Sequence, residues 1–314
     1  MRYLVYAILA AAFILPPLVF PSLSFVFVLG LSKGFAALGV ALLLRAGLIS
    51  IGHAMFFAFG AYATAFMTSS GTVTDLIAVL ALTILLSALA GLVIGAFMVR
   101  YRAIFFAMLN LAISMVFFTL LAKLYNITGG TDGVRTPLPS IAGIAVDRAS
   151  FEPILLYGGL ALFVIIGYGV HRYLASPMGE ALSAVHTNEV RLEYLGVSVY
   201  RILLCSYALS AALAGLGGGL TAIAVGHVIP EMSYWTVSGH LVLIAVLGGI
   251  GGVVGPLIGA VFLEVVRTVA VGYVAEAWNL IVGVALLIVI FFLHGGLYGL
   301  IDGWRGKKEE GVRP

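Results

Sequence analysis

The sequence predicts an all-α polytopic membrane protein with about 8–10 transmembrane helices, some of them broken or re-entrant. Three observations predict this class. Of the 314 residues, 62% are hydrophobic and only 9% are charged, whereas soluble domains carry about 25% charged residues. Mean hydropathy is +1.18. The apolar residues also fall in runs of roughly 20, enough to cross about 30 Å of hydrocarbon at about 1.5 Å per residue. The same figures exclude a soluble enzyme, a nucleic-acid reader, a disulfide scaffold and a disordered chain. The net charge of +3 is read as a bias of loop cations toward one side of a membrane. The single cysteine, Cys205, lies in an apolar run and is expected to be a small buried hydrophobe.

Taken in order, spans are expected near 3–20, 23–44, 47–68, 75–99, 103–124, 153–174 and 202–225, followed by a long apolar region at 237–275 and a last span at 279–294. The first run resembles a signal peptide, but Pro16, Pro17 and Pro21 follow it without a small-residue cleavage site, so it is read as an uncleaved span. The 237–275 region is 39 residues long, too long for one crossing, and its middle reads GGIGGVVGP over 248–256. Glycine with proline permits a chain reversal there, which is tolerated at membrane depth only where protein or a wet cavity surrounds it. With that reversal, 11 of the 16 Lys and Arg fall on the inner side and 4 outside, with Lys33 inside a span. Both termini are then cytoplasmic by the positive-inside rule.

A second irregular element is expected at 45–60, where RAGLISIGHAMFFAFG mixes glycine and polar groups into an apolar stretch. One Gly-interrupted segment in each half of a chain points to a transporter site at a repeat interface. The same glycines also suit close helix packing, and spacing does not separate the two readings.

Catalytic chemistry is absent from the pattern. Of 4 Asp and 9 Glu, only Glu264 lies inside a span, with Arg267 three residues on. A structural ion pair is the plainer reading of that pair, and proton coupling the alternative. Ser50 and His53 share a helical spacing but have no Gly-x-Ser-x-Gly, no orienting acid and no zinc motif beside them. The run from Gly217 to Ala222 fits a permissive dinucleotide pattern, yet it sits in a span and reads as a packing seam. No Gly-x-x-x-x-Gly-Lys-Ser/Thr occurs, so any ATPase must be another polypeptide. Asn110 and Ser114, at i and i+4, form a polar stripe on an apolar span.

The long inner loop at 175–201 carries apolar residues at helical spacing, with Pro177 as a start signal and Gly196 as a stop signal. Such an amphipathic helix fits a partner's groove or a solvated surface. Within it, SPMGEALSA over 176–184, Asn188-Glu189 and LGV over 195–197 resemble the cytoplasmic coupling loop of branched-chain amino acid-type permeases of ABC importers. Three more stretches agree in order: GLISIGHAMFFAFGAY over 47–62, TGGTDG over 128–133 and VLGGIGGVVGPLIGA over 246–260. Most of the chain from 39 to 266 is covered, and the pattern is similar to the LivM-type subunit.

The resemblance implies an ABC-importer permease fold, with a transmembrane domain over 1–304 and a cytoplasmic tail over 305–314, in a bacterial inner membrane. It implies a periplasmic-binding-protein-dependent importer of branched-chain or other amino acids. A second, LivH-type permease subunit, two ATPase subunits holding ATP and Mg, and a solute-binding protein would be its partners, with lipid around it and no cofactor or metal in this chain. Glu180, Asn188, Glu189, Arg191, Glu193 and Gly196 are the expected ATPase-coupling residues. His186-Thr187 stands where a more basic stretch is expected. Candidate path residues are Gly52, His53, Asn110, Ser114, Gly248, Gly249, Gly251 and Gly252. The family also contains permeases for urea, amides and small organic acids, and the alternative of another class is a stand-alone channel or secondary carrier.

Overall fold

The computed structural model describes residues 23–144 and 146–273, with separate positions between 280 and 299. The expected first span at 3–20 and the tail at 305–314 lie outside the described residues, as does most of the expected span at 279–294. Among the described residues the chain is helical apart from loops and one pair of two-residue strands. Six helices among the described residues are long and apolar enough to cross a membrane: α1 (Leu23–Arg45), α3 (Leu76–Met98), α4 (Ala103–Lys123), α5 (Arg148–Leu174), α7 (Val199–Val225) and α9 (Val254–Tyr273). Two shorter apolar helices, α2 (Ala54–Ser69) and α8 (Trp235–Gly248), precede α3 and α9. Helix α6 (Pro177–Tyr194) is the exception in composition, mixing charged and apolar residues.

The expected span at 47–68 is therefore only partly helical. An irregular segment at 46–53 comes first, because Gly47 adopts φ +74° and breaks the helix after Arg45. The reversal expected in 237–275 is present: Gly249 at φ +94° ends α8, and α9 returns along it, with Gly259 against the carbonyl of Ile244 and Gly255 against Gly248.

Two units of opposite direction emerge. In the first, buried α1 leads through the break at 46–53 to short α2, a turn and α3. In the second, buried α7 leads through an irregular segment at 226–234 to short α8, a turn and α9. This corrects the pairing read from glycine content. The counterpart of 46–53 is 226–234, while the glycine cluster at 248–252 matches the turn at 70–75. Helices α1 and α7 run antiparallel through the centre, and each unit's long helix packs on the other's last helix. Gly30 and Gly34 of α1 meet Val261 and Leu257 of α9; Gly91 and Gly95 of α3 meet Ala211 and Tyr207 of α7. Small residues four apart let helices approach where lipid supplies no hydrophobic drive between them.

The 217–222 run is a packing seam. A Cβ on Gly217 would lie 2.3 Å from the Ser32 carbonyl oxygen, one on Gly218 1.7 Å from that of Phe57, and one on Gly219 2.8 Å from Thr64 Oγ1. Cys205 corrects the expectation: it lies on α7 but is exposed. Its turn of α7 faces away from the seam, which apolar composition alone does not reveal.

At one end of the bundle, β1 (Val134–Arg135) pairs antiparallel with β2 (His227–Val228). Asp75 caps α3 there, its Oδ1 accepting from the amides of Ile77 and Ala78 and its Oδ2 from Ala142. The TGGTDG loop supports the same end. Gly129 and Gly133 hold positive φ, and Gly133 packs so closely on the Val228 carbonyl that a Cβ would lie 2.1 Å from it. Helix α6 lies at the opposite end, beside the turn that joins α3 to α4.

Candidate functional site

Helix α6 starts because Ser176 is extended and caps it, Pro177 occupies the first turn, and Ser176 Oγ accepts from the Gly179 amide. Gly179 is needed for a second reason. The chain turns so sharply out of α5 that a Cβ there would lie 2.4 Å from Leu174 Cα. Leu182, Val185 and Leu192 form the buried face, while Glu180, Asn188, Val190, Arg191 and Glu193 are exposed.

The helix is not continuous. Asn188 sits at φ −162°, ψ 95°, dividing it into two limbs, and its Oδ1 accepts from the Arg191 amide to cap the second. The second limb ends in a Schellman motif. Gly196 takes φ +78°, its amide donates to Glu193, and the amide of Val197 donates to Leu192. Tyr194 at 88% exposed and Leu195 at 71% stand out from this end.

Two contacts fasten α6 to the bundle beyond its buried face. Glu189 forms a bidentate pair with Arg102 at the start of α4, the guanidinium donating from Nε at 2.8 Å and Nη2 at 2.7 Å. Arg102 also donates to the carbonyls of Val99 and Tyr101, which orients it. His186 lies directly on Gly47, where a Cβ would be 2.3 Å from the imidazole Cδ2. His186, part of the departure from the expected basic stretch, thus fills a place made by a glycine of the first break.

A polar cluster lies inside the bundle. His53 is fully buried, with Nδ1 2.7 Å from Ser50 Oγ and Nε2 2.6 Å from Ser210 Oγ. Ser210 Oγ donates to the Gly39 carbonyl, so it accepts from His53 Nε2–H, and Nδ1 is the acceptor for the Ser50 hydroxyl. A neutral imidazole protonated at Nε2 satisfies every partner. Beside it, Tyr207 Oη donates to Asn110 Oδ1 at 2.6 Å, and Asn110 Nδ2 donates to the Phe106 carbonyl. The rings of Phe56, Phe106 and His53 pack edge-on around Tyr207.

The stripe on α4 holds both irregular segments. Gly52 of the first break abuts the Asn110 carbonyl, where a Cβ would lie 2.3 Å away, and Ser114 Oγ donates to the Ser233 carbonyl of the second. The Ala54 amide donates to Ser238 Oγ of α8. Gly52, His53, Asn110 and Ser114 are thus brought together. Gly248, Gly249, Gly251 and Gly252 are not. They form the turn after α8, ten residues beyond Ser238, or about 15 Å along a helix.

Lys33 pairs with Glu264 across α1 and α9 at 2.5 Å, and Arg267 reaches the other carboxylate oxygen at 3.5 Å. Glu264 is thus ion-paired, and its nearer partner is a lysine more than two hundred residues away rather than Arg267. Sequence reasoning missed Arg102, Tyr207, Ser210 and Ser238, and marked His186 only as a departure from the family pattern. Tyr207 and Ser210 do stand one turn apart on a glycine-rich helix, a signal that was available. The Ser50 hydroxyl does meet the His53 imidazole, but both are fully buried and the other ring nitrogen meets Ser210 rather than a carboxylate; among the described residues no group of three metal-ligating side chains occurs. The arrangement is suited to holding the two irregular backbone segments in register.

Residues 22–291 match the family model described as the permease component of branched-chain amino acid transport systems. The high-affinity branched-chain amino acid transport system permease protein LivM of Salmonella typhimurium is 30% identical over 273 residues, covering 79% of this chain and 63% of the relative. LivM of Escherichia coli is 29% identical over the same shares. LivH of Salmonella typhimurium is 27% identical over 152 residues, 48% of this chain and 47% of LivH. The chain thus spans 63% of the length of these LivM relatives. No solved structure matches it.

Proposed function

From the premise that this chain belongs to the family of permease components of branched-chain amino acid transport systems, we propose that it is a membrane subunit of an ATP-driven, binding-protein-dependent importer for branched-chain amino acids. It pairs with a second, LivH-like permease. Two ATPase subunits, which bind ATP and Mg, dock at the α6 end, and a solute-binding protein delivers substrate at the strand end. That orientation puts the α6 end in the cytoplasm of a bacterial cell and the chain in its inner membrane, and the positive-inside rule assigns both termini to the cytoplasm. The chain itself hydrolyses nothing.

The observation that carries this reading is α6. It is a capped, kinked amphipathic segment at the end of an otherwise apolar bundle, with its buried face fastened and its opposite face bare. Met178, Val190, Tyr194 and Leu195 give that exposed face apolar area, and Glu180, Arg191 and Glu193 give it charge. These three are the polar contacts to the ATPase. Glu189, whose carboxylate is held by Arg102, is a fastening residue instead. ATP drives transport only if the ATPase dimer binds the outward and inward states with different affinity. The junction of the two breaks with α4 is where those states differ, and the path runs beside Gly52, His53, Asn110 and Ser114.

Capture of the tagged chain from membranes co-expressing the candidate subunits tests the assignment. The expected result is co-purification of the second permease and the ATPase, with Arg191→Glu plus Glu193→Lys lowering ATPase recovery while the permease pair stays intact. Transport by the purified chain alone, with no ATPase retained, would sink the proposal in favour of a channel or secondary carrier.

A further inference from the structure

The two limbs of α6 are fastened to different parts of the bundle. The first, before Asn188, rests on the end of α5 through Gly179 and on the first break through His186 and Gly47. The second is tied to α4 by the bidentate Glu189–Arg102 pair. Arg102 is the residue immediately before α4, and α4 is the helix whose Asn110 and Ser114 hold both breaks.

An ion pair with both side chains about a third exposed, 32% and 31%, contributes little to folding because water screens it. Its geometry is nevertheless strict. Two parallel charge-assisted bonds fix the orientation of guanidinium and carboxylate, and the backbone carbonyls of Val99 and Tyr101 fix the guanidinium in turn. A contact that is weak for stability but rigid in direction, placed between an exposed amphipathic limb and the helix that organises the interior, is suited to passing displacement.

We propose that the Arg102–Glu189 pair is a positioning strut that delivers movement of the second limb of α6 to α4, and so to the Asn110–Gly52 and Ser114–Ser233 contacts. Asn188 is the joint that lets this limb move separately from the first. The inference rests on the importer reading above, since it needs a motor bound to α6.

The test is a charge-swap cycle in the assembled complex reconstituted in vesicles, reading leucine taken up per ATP hydrolysed. Arg102→Ala and Glu189→Ala are each expected to lower this ratio about tenfold, and Arg102→Glu plus Glu189→Arg to return it to within about threefold of the unmodified complex. Arg102→Lys, which keeps the charge but loses the fork, is expected to fall between. A ratio within twofold of the unmodified complex in both single variants would overturn the strut. So would a swap that assembles but stays as uncoupled as the singles. Reduced assembly with a normal ratio in what does assemble, checked also with the milder Glu189→Gln, would overturn it in favour of a packing role. Failure of the importer reading looks different, because the unmodified chain would then show no ATP-dependent uptake before any substitution is made.

Discussion

Replacing Gly218 with alanine puts a methyl group 1.7 Å from the Phe57 carbonyl oxygen, about 1.7 Å short of ordinary van der Waals contact. The obstacle is the main chain of α2, which cannot rotate aside as a side chain can. Gly60 against Gly215 and Gly217 against Ser32 hold the same seam on either side, so α7 cannot slide away without loosening them. Overpacking of this kind costs about 3 kcal/mol, the upper end of the usual range. The better helix propensity of alanine offsets about 1 kcal/mol of that, leaving a net loss of about 2 kcal/mol and a melting point lower by about 3 °C for a chain of this size. Gly169→Ala on α5 is the matched control. No described atom lies within 4 Å of its added Cβ, so only the propensity gain of up to about 1 kcal/mol remains. Thermal unfolding of both variants in the same detergent, followed by size-exclusion retention, gives the comparison. If Gly218→Ala melts within a degree of Gly169→Ala, the seam is not the tight interface described.

Three further outcomes follow from individual contacts. Lys33→Met leaves Glu264, whose side chain is 4% exposed, with the longer Arg267 contact at 3.5 Å, and costs up to about 3 kcal/mol in detergent stability, while Lys33→Met plus Glu264→Leu recovers most of it. Asp75→Ala removes an acceptor from two helix amides and one loop amide and lowers stability by about 1 kcal/mol, whereas Asp75→Asn stays close to the unmodified chain. Tyr207→Phe deletes the hydroxyl that donates to Asn110 and costs about 1–2 kcal/mol; transport per assembled complex should fall further than Gly169→Ala reduces it.

Composition and run length made the class legible, and the glycine cluster at 248–252 with Pro256 marked a reversal that the structure contains. Pro177 and Gly196 marked the bounds of α6 because first-turn and Schellman positions each demand a residue type. What the sequence left obscure are features set by long-range contact. The kink at Asn188 is one, since asparagine at that spot reads equally as a helix residue. The break at 226–234 is another, because without a glycine cluster its likeness to 46–53 lies in backbone course rather than composition. The polar stripe of Asn110 and Ser114 was visible, yet that it grips both breaks depends on where two distant segments arrive. Glu189 shows the same limit. A charge on an exposed-looking helix reads as a partner contact until the fold supplies Arg102.

The most direct test of the central claim is uptake of labelled leucine into vesicles holding this chain with its second permease and ATPase subunits, with the binding protein added outside. ATP sealed within is expected to drive accumulation against the gradient, and a non-hydrolysable analogue is expected to give none. Equal accumulation without ATP or without the ATPase subunits would contradict the account.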